Sequence, residues 1–191
     1  MPNGIAIVGL NGAGKSTLAH ALAKELGYFE MDVEDYYFPQ QRASRRSALE
    51  GQPALQSQGP EAVPFSAAKP KPQVEEAILA DMEKYPRFVF SGVHLDWDLP
   101  ILAHIDLVCF LRVPLAERIR RIHEREARRF GSRVLPGGDM YEQQLGFLKT
   151  AISRDELTVL DSLAGLPSPV VSIDGTQPVS AVMQELLTHL D

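Results

Sequence analysis

Cysteine is nearly absent from this chain of 191 residues: Cys109 stands alone, so no disulfide can form within it. Set in the apolar run Leu107-Val108-Cys109-Phe110-Leu111, its thiol reads as a buried core group in a reducing compartment. Apolar runs are short everywhere, and none approaches the roughly 20 residues that a membrane-spanning helix requires. The first strand pattern begins by Gly4 or Ile5, which leaves no room for a secretory leader. Positive charge is not in excess either. A net charge of -6 argues against a nucleic-acid partner. The chain has no internal repeat and no Asn-Lys-x-Asp string of the kind that recognises guanine. The expectation is one cytoplasmic domain over residues 1–191, monomeric or homodimeric, with no nucleic-acid or membrane partner.

What is present is concentrated near the amino terminus. Gly9-Leu10-Asn11-Gly12-Ala13-Gly14-Lys15-Ser16, followed by Thr17, fits the pattern of Gly, four variable residues, Gly, Lys and then Ser or Thr. Glycine at 9, 12 and 14 admits positive φ and lets the backbone approach an oxyanion with no Cβ in between. The N–H groups of the turn point inward, and the following helix adds the positive end of its dipole. Lys15 supplies a point charge for the terminal phosphates, and the Ser16 hydroxyl is a ligand for the Mg²⁺ that travels with them. The flanks agree. Ile5-Ala6-Ile7-Val8 suits a parallel strand buried on both faces, and Leu18, Ala19, Leu22, Ala23 and Leu26 recur at helical spacing until Gly27. Residues 9–17 are therefore expected to bind a nucleoside triphosphate.

Residues 28–33 read as a second strand leading into Asp32, Glu34, Asp35, Tyr36, Tyr37 and Phe38. Ligands gather beyond the carboxyl ends of strands in open α/β sheets, where this cluster falls. If the strand continues, Asp32 and Glu34 share a face. Two carboxylates there need a metal or an acceptor hydroxyl between them and a triphosphate. Asp32 is then expected to hold Mg²⁺ through water, and Glu34 or Asp35 to grip or deprotonate an acceptor. Residues 39–72 show six prolines, the arginines Arg42, Arg45 and Arg46, and no sustained period. They are expected to form a mobile cap over the acceptor. An amphipathic helix over 73–85 and a core strand, Phe88-Val89-Phe90, follow. The strand runs into Ser91-Gly92-Val93-His94, where many phosphate-loop enzymes carry a carboxylate. Ser91 stands in its place, and His94 is either an acceptor-side group or a structural hydrogen-bonder.

Residues 105–113 form the next buried strand, and Pro114 opens a helix rich in arginine. At about 3.6 residues per turn, Arg118, Arg121, Arg125, Arg128 and Arg129 lie on one broad stripe. An all-cationic stripe repels itself unless anions meet it, and the planar guanidinium suits a transferring phosphoryl group. Arg125, Arg129 and Arg133 are expected to close over the site as part of a lid at about 120–140, hinged on residues 134–141. Helical spacing resumes at Leu145, Leu148 and Ile152. The last strand, 170–173, leads through Asp174-Gly175-Thr176 into a helix with Thr176 as N-cap, and the Gly175 backbone is expected to edge the base.

With these features the chain resembles the small P-loop kinases, the group of adenylate, shikimate and gluconate kinases. The resemblance rests on residues 9–17, the acids at 32–35, the arginine helix and the 174–176 loop, and it leaves out residues 39–72. It implies an α/β three-layer fold, with a five-stranded parallel sheet and helices on both faces. It also implies ATP with Mg²⁺, a small-molecule acceptor, and Lys15, Asp32, Arg125 and Arg129 as the catalytic set. The Asp-x-Asp of shikimate-kinase-like members reads Asp32-Val33-Glu34 here, and the Asp-Gly-Phe-Pro-Arg run of adenylate kinases is missing, which disfavours a nucleoside monophosphate acceptor. A nucleotide-binding ATPase or switch without a small-molecule acceptor is the alternative.

Overall fold

Apolar residues run without interruption through the central strands because both faces of the sheet are covered. The structure, a computed structural model, describes residues 1–51 and 68–190. In chain order the elements are β1 (Gly4–Val8), α1 (Lys15–Leu26), β2 (Phe29–Asp32), α2 (Val33–Tyr37), a 3₁₀ turn (Pro39–Gln41), α3 (Arg42–Leu49) and α4 (Lys71–Lys84). Then come β3 (Phe88–Gly92), α5 (Leu99–Leu102), β4 (Leu107–Arg112), α6 (Leu115–Phe130), a second 3₁₀ turn (Gly131–Val134), α7 (Tyr141–Ser153), α8 (Glu156–Leu163), β5 (Val170–Asp174) and α9 (Val179–Leu187). The sheet order is β2-β3-β1-β4-β5, all parallel.

Alternate residues of each strand feed two cores. Ile5, Ile7, Val89, Cys109 and Ile173 pack with α1 and α9 on one face, through Leu18, Leu22, Val182 and Leu186. Ala6, Val8, Phe88, Phe90 and Phe110 pack on the other with α4, α5 and α8, through Ile78, Met82, Ile101 and Val159. This is the expected α/β fold, helices on both sides of five parallel strands. β1 lies between β3 and β4, so the chain leaves Val8 at the middle of the sheet's carboxyl edge, where ligands of such sheets bind. Cys109 is fully buried there, and burial pushes its thiol up to about 12, so it is an inert core group.

Several local expectations are corrected. The second strand stops at Asp32, because the Asp32 carboxylate accepts the Glu34 N–H at 2.9 Å and caps α2. Asp32 and Glu34 therefore do not alternate along a strand. Residues 42–49, expected to be irregular, are helical, and α4 begins at Lys71; the central part of the expected cap, 52–67, lies outside the described residues. In α7 the buried positions are Gln144, Leu148 and Ala151, while Ile152 faces solvent. Pro178, not Thr176, precedes α9, and the Thr176 N–H is taken by Asp174.

Candidate active site

Residues 9–14 turn back on themselves between β1 and α1, and their shape is set from behind. The Asn11 carbonyl accepts from Arg118 Nη1 at 3.2 Å, and the Ala13 carbonyl accepts from Arg121 Nη1, also at 3.2 Å. The Leu10 carbonyl accepts the Ala13 N–H and Lys15 Nζ. In a trans peptide the carbonyl and the next N–H point in opposite directions. Holding these carbonyls back turns the N–H groups of Asn11, Gly12 and Gly14 toward the open side. At Gly12, φ is 84° and a Cβ would lie 2.5 Å from the Arg118 carbonyl oxygen, so α6 backbone presses directly on the loop. At Gly14, φ is 99° and a Cβ would meet only Arg121 Nη1, at 3.7 Å, the group that holds the Ala13 carbonyl, so there is room for a methyl group there. No side chain caps α1 at Gly14, which leaves the N–H groups of its first turn, with Ser16 and exposed Thr17, facing the loop's open side. Uncapped helix dipole and converging amides make an anion seat.

Lys15 sits on the floor of this cleft. Burial lowers its pKa to about 8, against the pull of Glu34 and Asp32. Glu34 shifts the other way: burial first, then Asp32, push its carboxyl above the ordinary range, while Arg125, Lys15 and Arg129 oppose the shift. The residue itself is exposed. Arg125 and Arg129 thus belong to the electrostatic surroundings of Glu34, and Arg125 also to that of Lys15. Arg125 Nε donates to buried Glu126 at 2.6 Å, which fixes it along α6.

The remaining expected site residues are placed as follows. Asp32 is buried, with its Oδ1 on the α2 cap and its Oδ2 accepting the Ser91 hydroxyl at 3.0 Å, its cross-strand partner on β3. Ser91, standing where a carboxylate was expected, therefore serves to orient Asp32. Asp35 is turned away from the cleft: Arg45 of α3 donates to both its oxygens, from Nε at 2.8 Å and from Nη2. Arg45 also reaches Glu30 at 3.2 Å and Asp32 at 3.4 Å. Asp35 is thus held in a buried pairing with α3. His94 is half-buried; burial lowers its pKa, and its Nδ1 is buried without a hydrogen-bond partner. Arg133 is bonded to Asp139 near the surface, at 2.7 Å and 3.0 Å, and not to the loop. Gly175 enters the site through its carbonyl, which accepts from the same Arg121 Nη1 at 2.9 Å.

Three arginines that sequence reasoning did not select hold the loop. Arg118 and Arg121 belong to the stripe on α6, but they face the loop's back. Those bonds tie the first turns of α6 to the loop and to β5's carboxyl end. Arg154 lies in the two-residue break between α7 and α8, and its Nη1 donates to Asn11 Oδ1 at 2.8 Å. The signal for that break was Asp155, whose carboxylate caps α8 through the Thr158 N–H.

This geometry, with the parallel sheet and its glycine loop, defines a P-loop fold. By comparison the chain is similar to small P-loop kinases. A sugar kinase from Janibacter sp. HTCC2649 superposes with a TM-score of 0.54 at 16% identity, covering 100% of this chain and 95% of that one. In sequence the chain is 28% identical over 198 residues to the uncharacterized protein YqaC of Bacillus subtilis, covering 100% of this chain and 98% of that protein. It is 27% identical over 224 residues to a cytidylate kinase of Exiguobacterium sp., covering 95% and 96% of the two chains. It is also 30% identical over 129 residues to a shikimate kinase of Thermosynechococcus vestitus, covering 63% and 62%. No protein-family model matches the chain. Among the described residues no helix is long and apolar enough to cross a membrane.

Proposed function

We propose that this protein is an ATP-dependent phosphotransferase that moves the γ-phosphoryl group to the hydroxyl of a small molecule. What carries the reading is the uncapped helix start at Lys15, whose ammonium lies within the electrostatic reach of Glu34, while Arg125 acts on both. Lys15 would neutralise the terminal phosphates seated on the loop amides of residues 9–14. Glu34 would take the acceptor's proton as its oxygen attacks phosphorus in line, and a carboxyl held above its usual range is suited to that task. A phosphate acceptor needs no such base, because its oxygen is already anionic, so the carboxylate favours an alcohol. Arg125 and Arg129 would hold the equatorial oxygens of the transferring group, whose charge their planar forks match.

The donor set also fits a hard divalent cation. Among the described residues no group of three or more His, Cys, Asp or Glu side chains gathers to hold a metal. Mg²⁺ bound largely through phosphate oxygens and water needs only one or two protein groups. Here those would be the Ser16 hydroxyl and, through water, Asp32, already oriented by Ser91. The ion would supply charge neutralisation of the phosphates. His94, next to the loop through the Gly9 N–H bond to the Val93 carbonyl at 3.2 Å, would line the acceptor side.

The test is incubation of the purified protein with γ-labelled ATP and a panel of small alcohols, sugars and nucleosides. Label in an acceptor, lost in Lys15→Ala and Glu34→Gln, supports the reading. ATP consumed at one rate whatever acceptor is present would establish an ATPase or switch instead.

A further inference from the structure

Arg118, near the start of α6, is only 3% exposed, yet among the described residues no carboxylate is bonded to it. Its Nη1 donates to two backbone carbonyls, Asn11 at 3.2 Å and Ala151 at 3.3 Å, and its Nε is buried without a partner. Glu156 is the acid whose field reaches it, and Glu156 is itself held by Arg112 at 2.7 Å. The Ala151 carbonyl lies in the last turn of α7, whose dipole offsets part of the charge. A guanidinium does not escape burial by losing its proton. A buried cation without a counter-ion is costly, and natural proteins rarely leave one uncompensated.

The position of Arg118 says where the missing negative charge belongs. The side chain lies behind the Asn11 carbonyl, and the Arg118 backbone is the surface against which Gly12 packs. On the far side of the same peptide, the Gly12 N–H faces the open seat. We propose that Arg118 is a positioning residue of the phosphate site: it pins the Asn11–Gly12 peptide from beneath, and the bound polyphosphate is its counter-charge. The inference rests on the reading of residues 9–17 as a phosphate seat. A carbonyl that accepts from a cation polarises its own peptide, so the Gly12 N–H becomes a stronger donor to an oxyanion. Arg154 grips the side chain of the same Asn11, so the loop's first turn is held at both its backbone and its side chain.

Two variants separate charge from packing. Arg118→Met keeps bulk and removes charge, whereas Arg118→Lys keeps charge and removes the fork. The probe is inorganic tripolyphosphate, titrated calorimetrically, with thermal unfolding of each ligand-free protein alongside. The expected result is a loss of about tenfold or more in tripolyphosphate affinity for Arg118→Met and of no more than about threefold for Arg118→Lys. The ligand-free Met variant is expected to unfold no earlier than the Lys variant. Met-variant affinity within threefold of wild type, or equal losses in both variants, overturns the proposal. So does a Met variant that fails to fold where the Lys variant folds, or failure of both, since the cation would then stabilise the empty protein. Wild-type protein that binds neither tripolyphosphate nor ATP defeats the functional reading itself, a result distinct from all of these.

Discussion

Substituting alanine at Gly12 and at Gly14, two positions apart in one loop, has unequal expected consequences. At Gly12 the methyl group would stand 2.5 Å from the Arg118 carbonyl oxygen and 3.0 Å from its carbonyl carbon, both backbone atoms of α6 that cannot swing aside. The left-handed conformation costs a residue with a Cβ about 1–2 kcal/mol. Forcing a methyl into closed space adds about 1–3 kcal/mol. The sum, about 2–5 kcal/mol, lowers Tm by about 4–20 °C in a chain of this length. At Gly14 the φ of 99° brings the same conformational cost, but the nearest atom is the Arg121 Nη1 at 3.7 Å, so the overlap is missing. Gly14→Ala should lose only about 1–2 kcal/mol of stability, while the strain it puts on the start of α1 should weaken ATP binding. Thermal unfolding of both variants, with and without ATP, reads the two effects separately. If Gly14→Ala is destabilised as much as Gly12→Ala, the close approach of α6 to Gly12 is not what separates the two positions.

Lys15, half-titrated at about pH 8 in the empty site, must be protonated to hold phosphate, so ATP affinity should fall toward tenfold per pH unit above that value. Because the unfolded chain holds the same proton up to about 10.5, ligand-free stability should instead rise across that interval, and Lys15→Met should abolish both trends. Calorimetry from pH 7 upward checks the first trend, and a flat wild-type profile refutes it. Glu34→Gln should lower kcat by about 10²–10⁴-fold with ATP affinity little changed. Its loss should also remove the acid limb of the pH–rate profile, which in wild type lies above the ordinary 4.5 of a glutamate. Arg45→Met, which strands Asp35, Asp32 and Glu30, should cost about 3–5 kcal/mol in urea unfolding, and adding Asp35→Asn should restore part of it. Strictly additive losses would mean that the four groups do not act as a unit.

The features that were readable before the structure share a physical trait: each is written in local spacing. Parallel strands covered on both faces demand unbroken apolar runs, so residues 5–8, 88–90 and 105–113 announced themselves. Glycine at 9, 12 and 14 marked the loop because no other residue tolerates its conformations. What could not be read depends on partners far apart in the chain. α3 has no apolar stripe; its buried residues are Ser47 and Arg45, the latter held by carboxylates on β2 and α2, so hydrophobic periodicity could not find it. Asp32 suited a strand end and a helix cap equally, and the acids Glu34 and Asp35 in the following turn were the clue for the cap. The arginine stripe on α6 was visible as a face, but not the depth each arginine reaches: Arg118 and Arg121 go behind the loop, Arg125 and Arg129 toward Glu34, and Arg120 outward to Glu117 and Glu124. Arg154, isolated between two helices and 143 residues from Asn11, carried no local sign of its role.

The account depends on a triphosphate seated on the loop at the start of α1, beside Lys15. Calorimetric titration of Mg-ATP into wild type and into Lys15→Ala measures this directly. Saturable one-to-one binding to wild type, weakened at least about tenfold in the variant, is the result predicted from the loss of one close charge on the terminal phosphates. Equal affinity in the two proteins, or no binding to wild type, would contradict it.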